Sequence, residues 1–223
     1  MNEHQTTSSA FGGVPVSYAL TPVSENADER VSQTIAVMCR YAVEDSSCPE
    51  VQEDAQSALA LGGGDPIYGV WRFCKERFRF TQDSDLTQGT GLDAGTKESI
   101  VEVLIRPKDI ARMFREGLQA VEDCDGYSTY AASLLLALGV QPYFCTVAVD
   151  PSVPSEYSHV YVVAHRRGER IAIDSSHGEY CGWECPNPFG KRREWQVTHA
   201  PIIGYMLLGA ALSFLWFAAK GSF

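Results

Sequence analysis

Residues 121–139 run Val121-Glu122-Asp123-Cys124-Asp125-Gly126-Tyr127-Ser128-Thr129-Tyr130-Ala131-Ala132-Ser133-Leu134-Leu135-Leu136-Ala137-Leu138-Gly139. Ala131, Leu134, Leu135 and Leu138 recur at helical spacing, and Gly139 stands where a C-terminal stop belongs, so an amphipathic helix is expected here. Asp123 or Asp125 can cap the free N–H groups of its first turn. A thiol at that end feels the positive pole of the helix, which favours the thiolate, the form that attacks a carbonyl carbon. Cys124 is therefore the candidate nucleophile.

Downstream of Gly139 the period changes to two. Tyr143, Cys145, Val147 and Val149 alternate with Phe144, Thr146 and Ala148 as a strand, and a loop holding Pro151 and Pro154 follows. Ser158 to His165 forms a second strand, Arg166 to Glu169 a turn, and Arg170 to Asp174 a third strand. If Arg166 pairs with Glu169, Tyr161 faces Asp174 and His159 faces Ser176. His159, Tyr161 and Asp174 then share one face, with His159 and Asp174 as diagonal neighbours. A carboxylate fixes the tautomer and direction of such a histidine and stabilises its imidazolium form. A Cys124 helix packed across that face would complete a nucleophile, a base and an orienting acid. His177 is the alternative base.

Upstream the pattern is helical. Val31, Ile35, Met38 and Ala42 define a helix from Ala27 to about Val43, with Cys39 packed in it, and a second helix runs from Pro49 to about Leu61. Gly62-Gly63-Gly64 breaks it, but no Gly-Lys-Ser/Thr follows, so this is no phosphate loop. Asp65-Pro66 reads as an N-cap and first helical position, after which Ile67, Val70, Trp71, Cys74 and Phe78 share a face. Trp71 belongs either to that core or to the border of a site. Residues 81 to 99 are a surface loop, Ile100 to Ile105 is extended, and Pro107 opens a short helix. Residues 1–25 read as an irregular arm, within which Val14, Val16, Tyr18 and Leu20 alternate as a short edge strand. Helices first and antiparallel strands after give an α+β fold, with N-terminal helices packed on an antiparallel sheet.

Composition narrows the function. With 223 residues and a 45% hydrophobic share the chain can build a full core, and its formal net charge of −10 argues against a nucleic-acid partner. Seven cysteines are an odd number without framework spacing, so reduced thiols are expected, and the first residues show no signal peptide. No cofactor and no metal are expected. His177, Cys181 and Cys185 recur every four residues, but Gly178, Gly182 and Pro186 oppose a helix there, and the spacing is not that of zinc sites.

Taken together, Asp123-Cys124-Asp125-Gly126, then Ser158-His159-Val160-Tyr161-Val162, then Ile171-Ala172-Ile173-Asp174-Ser175 resemble the transglutaminase-like superfamily. Val70 to Phe80 resembles its leading helix, and Glu102 to Ile110 the segment before its nucleophile, so the likeness spans about residues 65 to 176. Gly182-Trp183-Glu184 is similar to a stretch of the compact bacterial and bacteriophage type. The resemblance implies a papain-like core and acyl transfer on an amide. Cys124 would attack, His159 would shuttle the proton, and Asp174 would orient His159. It also implies a protein or peptide substrate, with water or an amine as acceptor. The backbone N–H of Cys124 is the natural oxyanion donor. One position departs: glycine often stands two residues before the cysteine, and Glu122 stands there, where an acidic group opposes thiolate formation. The alternative is a catalytically inactive scaffold or binding protein of a virion or membrane.

The domain so defined covers residues 26–197, and residues 198–223 form a hydrophobic tail. Pro201 to Ala219 carries no charge, and at about 1.5 Å per residue it nearly matches a hydrocarbon core of about 30 Å. Tyr205 and Trp216 suit the interfaces, and Gly209 with Ser213 offers a small face for helix packing. Lys191-Arg192-Arg193 on its flank places the catalytic domain on the cytoplasmic side of a membrane. Virion association is the alternative location, and a helix buried in protein is the alternative for the tail. Nothing in the chain specifies an oligomeric state.

Overall fold

The computed structural model describes residues 3–7, 11–21, 26–81 and 102–198. Within them the chain is mixed α and β, in the order β1 (Glu3–Thr6), β2 (Val16–Thr21), α1 (Ala27–Asp45), α2 (Pro49–Leu61), α3 (Pro66–Arg77), β3 (Phe78–Phe80), β4 (Glu102–Ile105), α4 (Pro107–Arg115), β5 (Ala120–Glu122), α5 (Cys124–Ala137), β6 (Pro142–Val147), β7 (His159–Arg166), β8 (Glu169–Ile173) and β9 (Arg192–Gln196). The helix starts follow local chemistry. Asn26 accepts from the N–H groups of Asp28 and Glu29, and Asp65 from those of Ile67 and Tyr68, with Pro66 at the first helical position.

Helix α5 is the centre of the molecule. Every residue from Asp125 to Leu135 is buried, because α1, α2, α3 and α4 pack around it together with β6 and β7. An amphipathic helix was the expectation, and small hydroxyl side chains explain the difference. Ser128 donates to the Cys124 carbonyl at 2.7 Å, Thr129 to that of Asp125 at 2.7 Å, and Ser133 to that of Tyr130 at 2.7 Å. Such back-bonded hydroxyls are satisfied within their own helix, so the face that looks polar in sequence is buried without penalty.

The antiparallel sheet downstream has the order β8-β7-β6-β9, one strand more than the alternation beyond Gly139 predicts. Arg166 pairs with Glu169 and Val162 with Ile173, without a bulge. Arg167 (φ 53°) and Gly168 (φ 83°) both take the left-handed conformation, as a two-residue hairpin turn matched to strand twist requires. One face of the sheet, with Phe144, Val160, Val162, Ala164 and Ile173, joins the helices in the main core. The other carries a smaller cluster of Cys145, Val147, Tyr161, Val163, Ala172 and Cys185, with Trp183 at its edge.

Two other pairings lay outside the sequence expectations. The N-terminal stretch, expected as an irregular arm with an edge strand, forms β1 and β2, and β2 is the middle strand of a sheet ordered β1-β2-β4. Its place is secured by Asp109, which accepts the Ser17 N–H at 2.7 Å while paired with Arg112 at 2.7 Å. Strands β3 and β5 form a short parallel pair, Phe78 with Ala120 and Phe80 with Glu122, that aims the chain into Cys124. The expected surface loop beyond Thr81 and the hydrophobic run 201–219 lie outside the described residues. Among the described residues, no helix is long and apolar enough to cross a membrane.

Candidate functional site

His159 opens β7, and Asp174 follows the last residue of β8. The hairpin register, extended by one residue, sets Asp174 across from Tyr161, and the His159 Nε2 lies 2.8 Å from Asp174 Oδ2. His159 is 7% exposed and Asp174 1%, so the pair is shielded from bulk water. The second carboxylate oxygen, Oδ1, accepts the Ser176 hydroxyl at 2.9 Å and the His177 backbone N–H at 2.9 Å. The Asp174 carbonyl in turn accepts Trp71 Nε1 at 3.3 Å.

Burial is the largest influence on the Asp174 carboxyl and pushes its pKa up. The hydrogen bond and charge of His159, with the His177 N–H and Ser176, outweigh it and hold the group below the ordinary carboxylate range. Asp174 is therefore ionised at neutral pH. An acceptor-only carboxylate requires the hydrogen on Nε2, which leaves Nδ1 of His159 as the nitrogen open to proton transfer.

Cys124 is the first residue of α5 and is half-buried against the main core. Asp123 caps the helix, its Oδ1 accepting the Asp125 N–H at 3.0 Å. Ser128, one turn further on, donates to the Cys124 carbonyl and reaches the Val160 carbonyl at 3.2 Å, which ties the start of α5 to the residue beside His159. Glu122 is fully buried against Gly126.

The expected triad thus has its base and acid in direct contact, and its cysteine at the helix start stitched to the same strand. The predicted packing of the helix needs correction. Helix α5 covers the side of β7 that carries Val160, Val162 and Ala164, while Tyr161 faces the second cluster. His159 shares strand parity with Tyr161, so α5 does not pack across the face of β7 to which His159 belongs.

Three neighbours were only partly legible. His177, weighed as an alternative base, sets its ring edge-on to His159 at 4.8 Å and to Phe80 at 4.9 Å. Desolvation there, then the His159 charge, draws its pKa below the ordinary histidine value, although the residue remains exposed at the rim. Trp71 borders the site through its bond to Asp174 and stacks on Tyr68. Glu184 lies behind the sheet, where it accepts the Tyr161 hydroxyl at 2.6 Å and pairs with Arg170 and Arg192. Cys181 and Cys185 do not join His177: Cys181 packs on the main core and Cys185 in the second cluster. Among the described residues, the group able to hold a metal ion is His159, Asp174 and His177, with one donor atom from each inside 4.8 Å.

No family model matches the chain, and no curated protein matches it. A solved structure described as the crystal structure of a TGase is similar to it at a TM-score of 0.34 and 13% identity. That likeness covers 74% of this chain and 37% of the other, so the chain spans little more than a third of its neighbour's length. At this level the side chains, and not the neighbour, carry the chemistry.

Proposed function

We propose that the chain is a cysteine-dependent acyl-transfer enzyme of transglutaminase-like type, acting on an amide of a protein or peptide. The contact of His159 with Asp174 at 2.8 Å, buried from solvent, is the observation that supports it most. His159 Nδ1 takes the Cys124 proton as sulfur attacks the amide carbon. The tetrahedral intermediate collapses, the C–N bond breaks, and the imidazolium returns the proton to the departing nitrogen. Water or an amine then attacks the thioester, and His159 relays its proton to sulfur. Asp174 holds the ring in one tautomer and stabilises its charged form. The Cys124 backbone N–H, at the helix start, is the oxyanion donor in this reading.

Alkylation with iodoacetamide at neutral pH tests the proposal. Cys124 is expected to react faster than the other six cysteines, and His159→Ala to remove the difference. Equal rates at all seven would refute it. Burial of Glu122 two residues before Cys124 favours a second reading, a scaffold without turnover, and equal rates would support that one. We also propose that residues 201–219 anchor the domain to a membrane, with the domain on the cytoplasmic side, or else serve its attachment within a virion.

A further inference from the structure

We propose that His159, Asp174 and His177 form a binding site for a divalent transition metal of the zinc type, and that its occupation switches the cysteine centre off. The switching half rests on the acyl-transfer reading; the metal site itself does not.

Two imidazoles and a carboxylate are the donor set that suits zinc, and three protein donors leave a fourth position open. A donor atom from each residue lies within 4.8 Å of the others. Zinc with bonds of about 2.0–2.1 Å holds tetrahedral donors about 3.3 Å apart, so the gap to close is at most about 1.5 Å. His159 and Asp174 already touch at 2.8 Å. His177 is the exposed partner. Outer-shell support is present as well: Ser176 Oγ lies 3.0 Å from His177 Nδ1 and donates to Asp174 Oδ1 at 2.9 Å, an arrangement that directs a ligating histidine and its carboxylate together.

The consequence for His159 follows from its tautomers. In the metal-free site Nε2 carries the hydrogen and Nδ1 the lone pair. A metal seated between Nε2 and Asp174 takes the Nε2 lone pair and sends the ring hydrogen to Nδ1. Nδ1 then has no lone pair to accept the Cys124 proton.

Calorimetric titration of the full-length chain in mild detergent with Zn2+ tests the site. One ion is expected per chain, with unchanged affinity in Cys124→Ala. Affinity is expected to fall by at least about tenfold in His177→Ala and in His177→Asn, the loss that even an outer-shell partner produces. Co2+ bound in the same place should show no thiolate-to-cobalt charge-transfer band. Wild-type affinity in both His177 variants, or a thiolate band, overturns the proposal. Saturating Zn2+ should slow alkylation of Cys124 in the wild type and not in His177→Ala. If Cys124 shows no enhanced reactivity without metal, the acyl-transfer reading fails while the titration still decides the metal site.

Discussion

A Cβ atom at position 126 would lie 2.3 Å from Oε2 of Glu122 and 2.8 Å from its Cβ, so the buried Glu122 side chain rests directly on the bare Cα of Gly126. The Asp-Cys-Asp-Gly turn is thereby shaped by an acid on its inner side. Gly126→Ala is expected to cost about 1–3 kcal/mol, because a fully buried side chain has nowhere to retreat. Urea unfolding of the variant measures this, and an unchanged midpoint would contradict the close packing.

Glu122→Gln keeps the shape and removes the acidic group. Thiolate formation at Cys124 becomes easier, and each pKa unit relieved changes the thiolate-to-thiol ratio about tenfold. The rate of alkylation at neutral pH is expected to rise several-fold. A rate that stays flat means the acid is electrostatically silent at the sulfur.

Asp174 makes stability depend on acid pH with a definite sign. Its folded-state pKa lies below the ordinary 3.8, so the unfolded chain binds the proton more readily. The contribution is complete above about 3.8, the unfolded value, and is lost as pH falls through the lower folded value. Asp174→Asn should flatten unfolding free energy against pH in that window. An identical acid slope in the variant would show that other carboxylates dominate it.

Ser128 joins α5 to β7 through the Cys124 and Val160 carbonyls. Ser128→Ala is expected to cost about 1 kcal/mol, less a few tenths returned by the helix preference of alanine. The larger effect should fall on Cys124, whose alkylation rate drops toward that of the other cysteines. Loss of stability with no change in rate would limit Ser128 to a structural part.

Val197 is buried and bonded on both sides, its N–H to the Pro142 carbonyl at 3.2 Å and its carbonyl to Gln141 Nε2 at 2.9 Å. A chain ended after Thr198 should therefore keep its fold and stay in the aqueous phase of a detergent partition, with the full-length chain entering the detergent phase. Full-length protein in the aqueous phase would rule out a membrane tail.

Signals confined to a few neighbouring residues were readable from the chain alone. Asp65-Pro66 caps α3 as expected, Asp123 caps α5, and the Arg166–Glu169 turn sets the register that brings Asp174 within 2.8 Å of His159. Each of these is decided by local backbone chemistry and side-chain parity, and needs no knowledge of distant partners. The candidate residues Cys124, His159 and Asp174 were accessible in that way.

What lay beyond reach depends on partners far along the chain. A three-residue strand such as β3 has no period to detect, and only its pairing with β5 makes it a strand. β2 is central because β1 and β4 come to both its edges. Four helices surround α5, so its serines and threonines turn inward, and the sheet meets it on the Val160 side and not on the His159 side. His177 stands beside His159 because the chain turns back after β8 to bond its N–H to Asp174. The amino-acid order by itself determined the helix starts, the hairpin register and the three candidate side-chain types. Tertiary structure alone decided which face is buried and what surrounds His159, since burial is a property of packed neighbours and not of a segment.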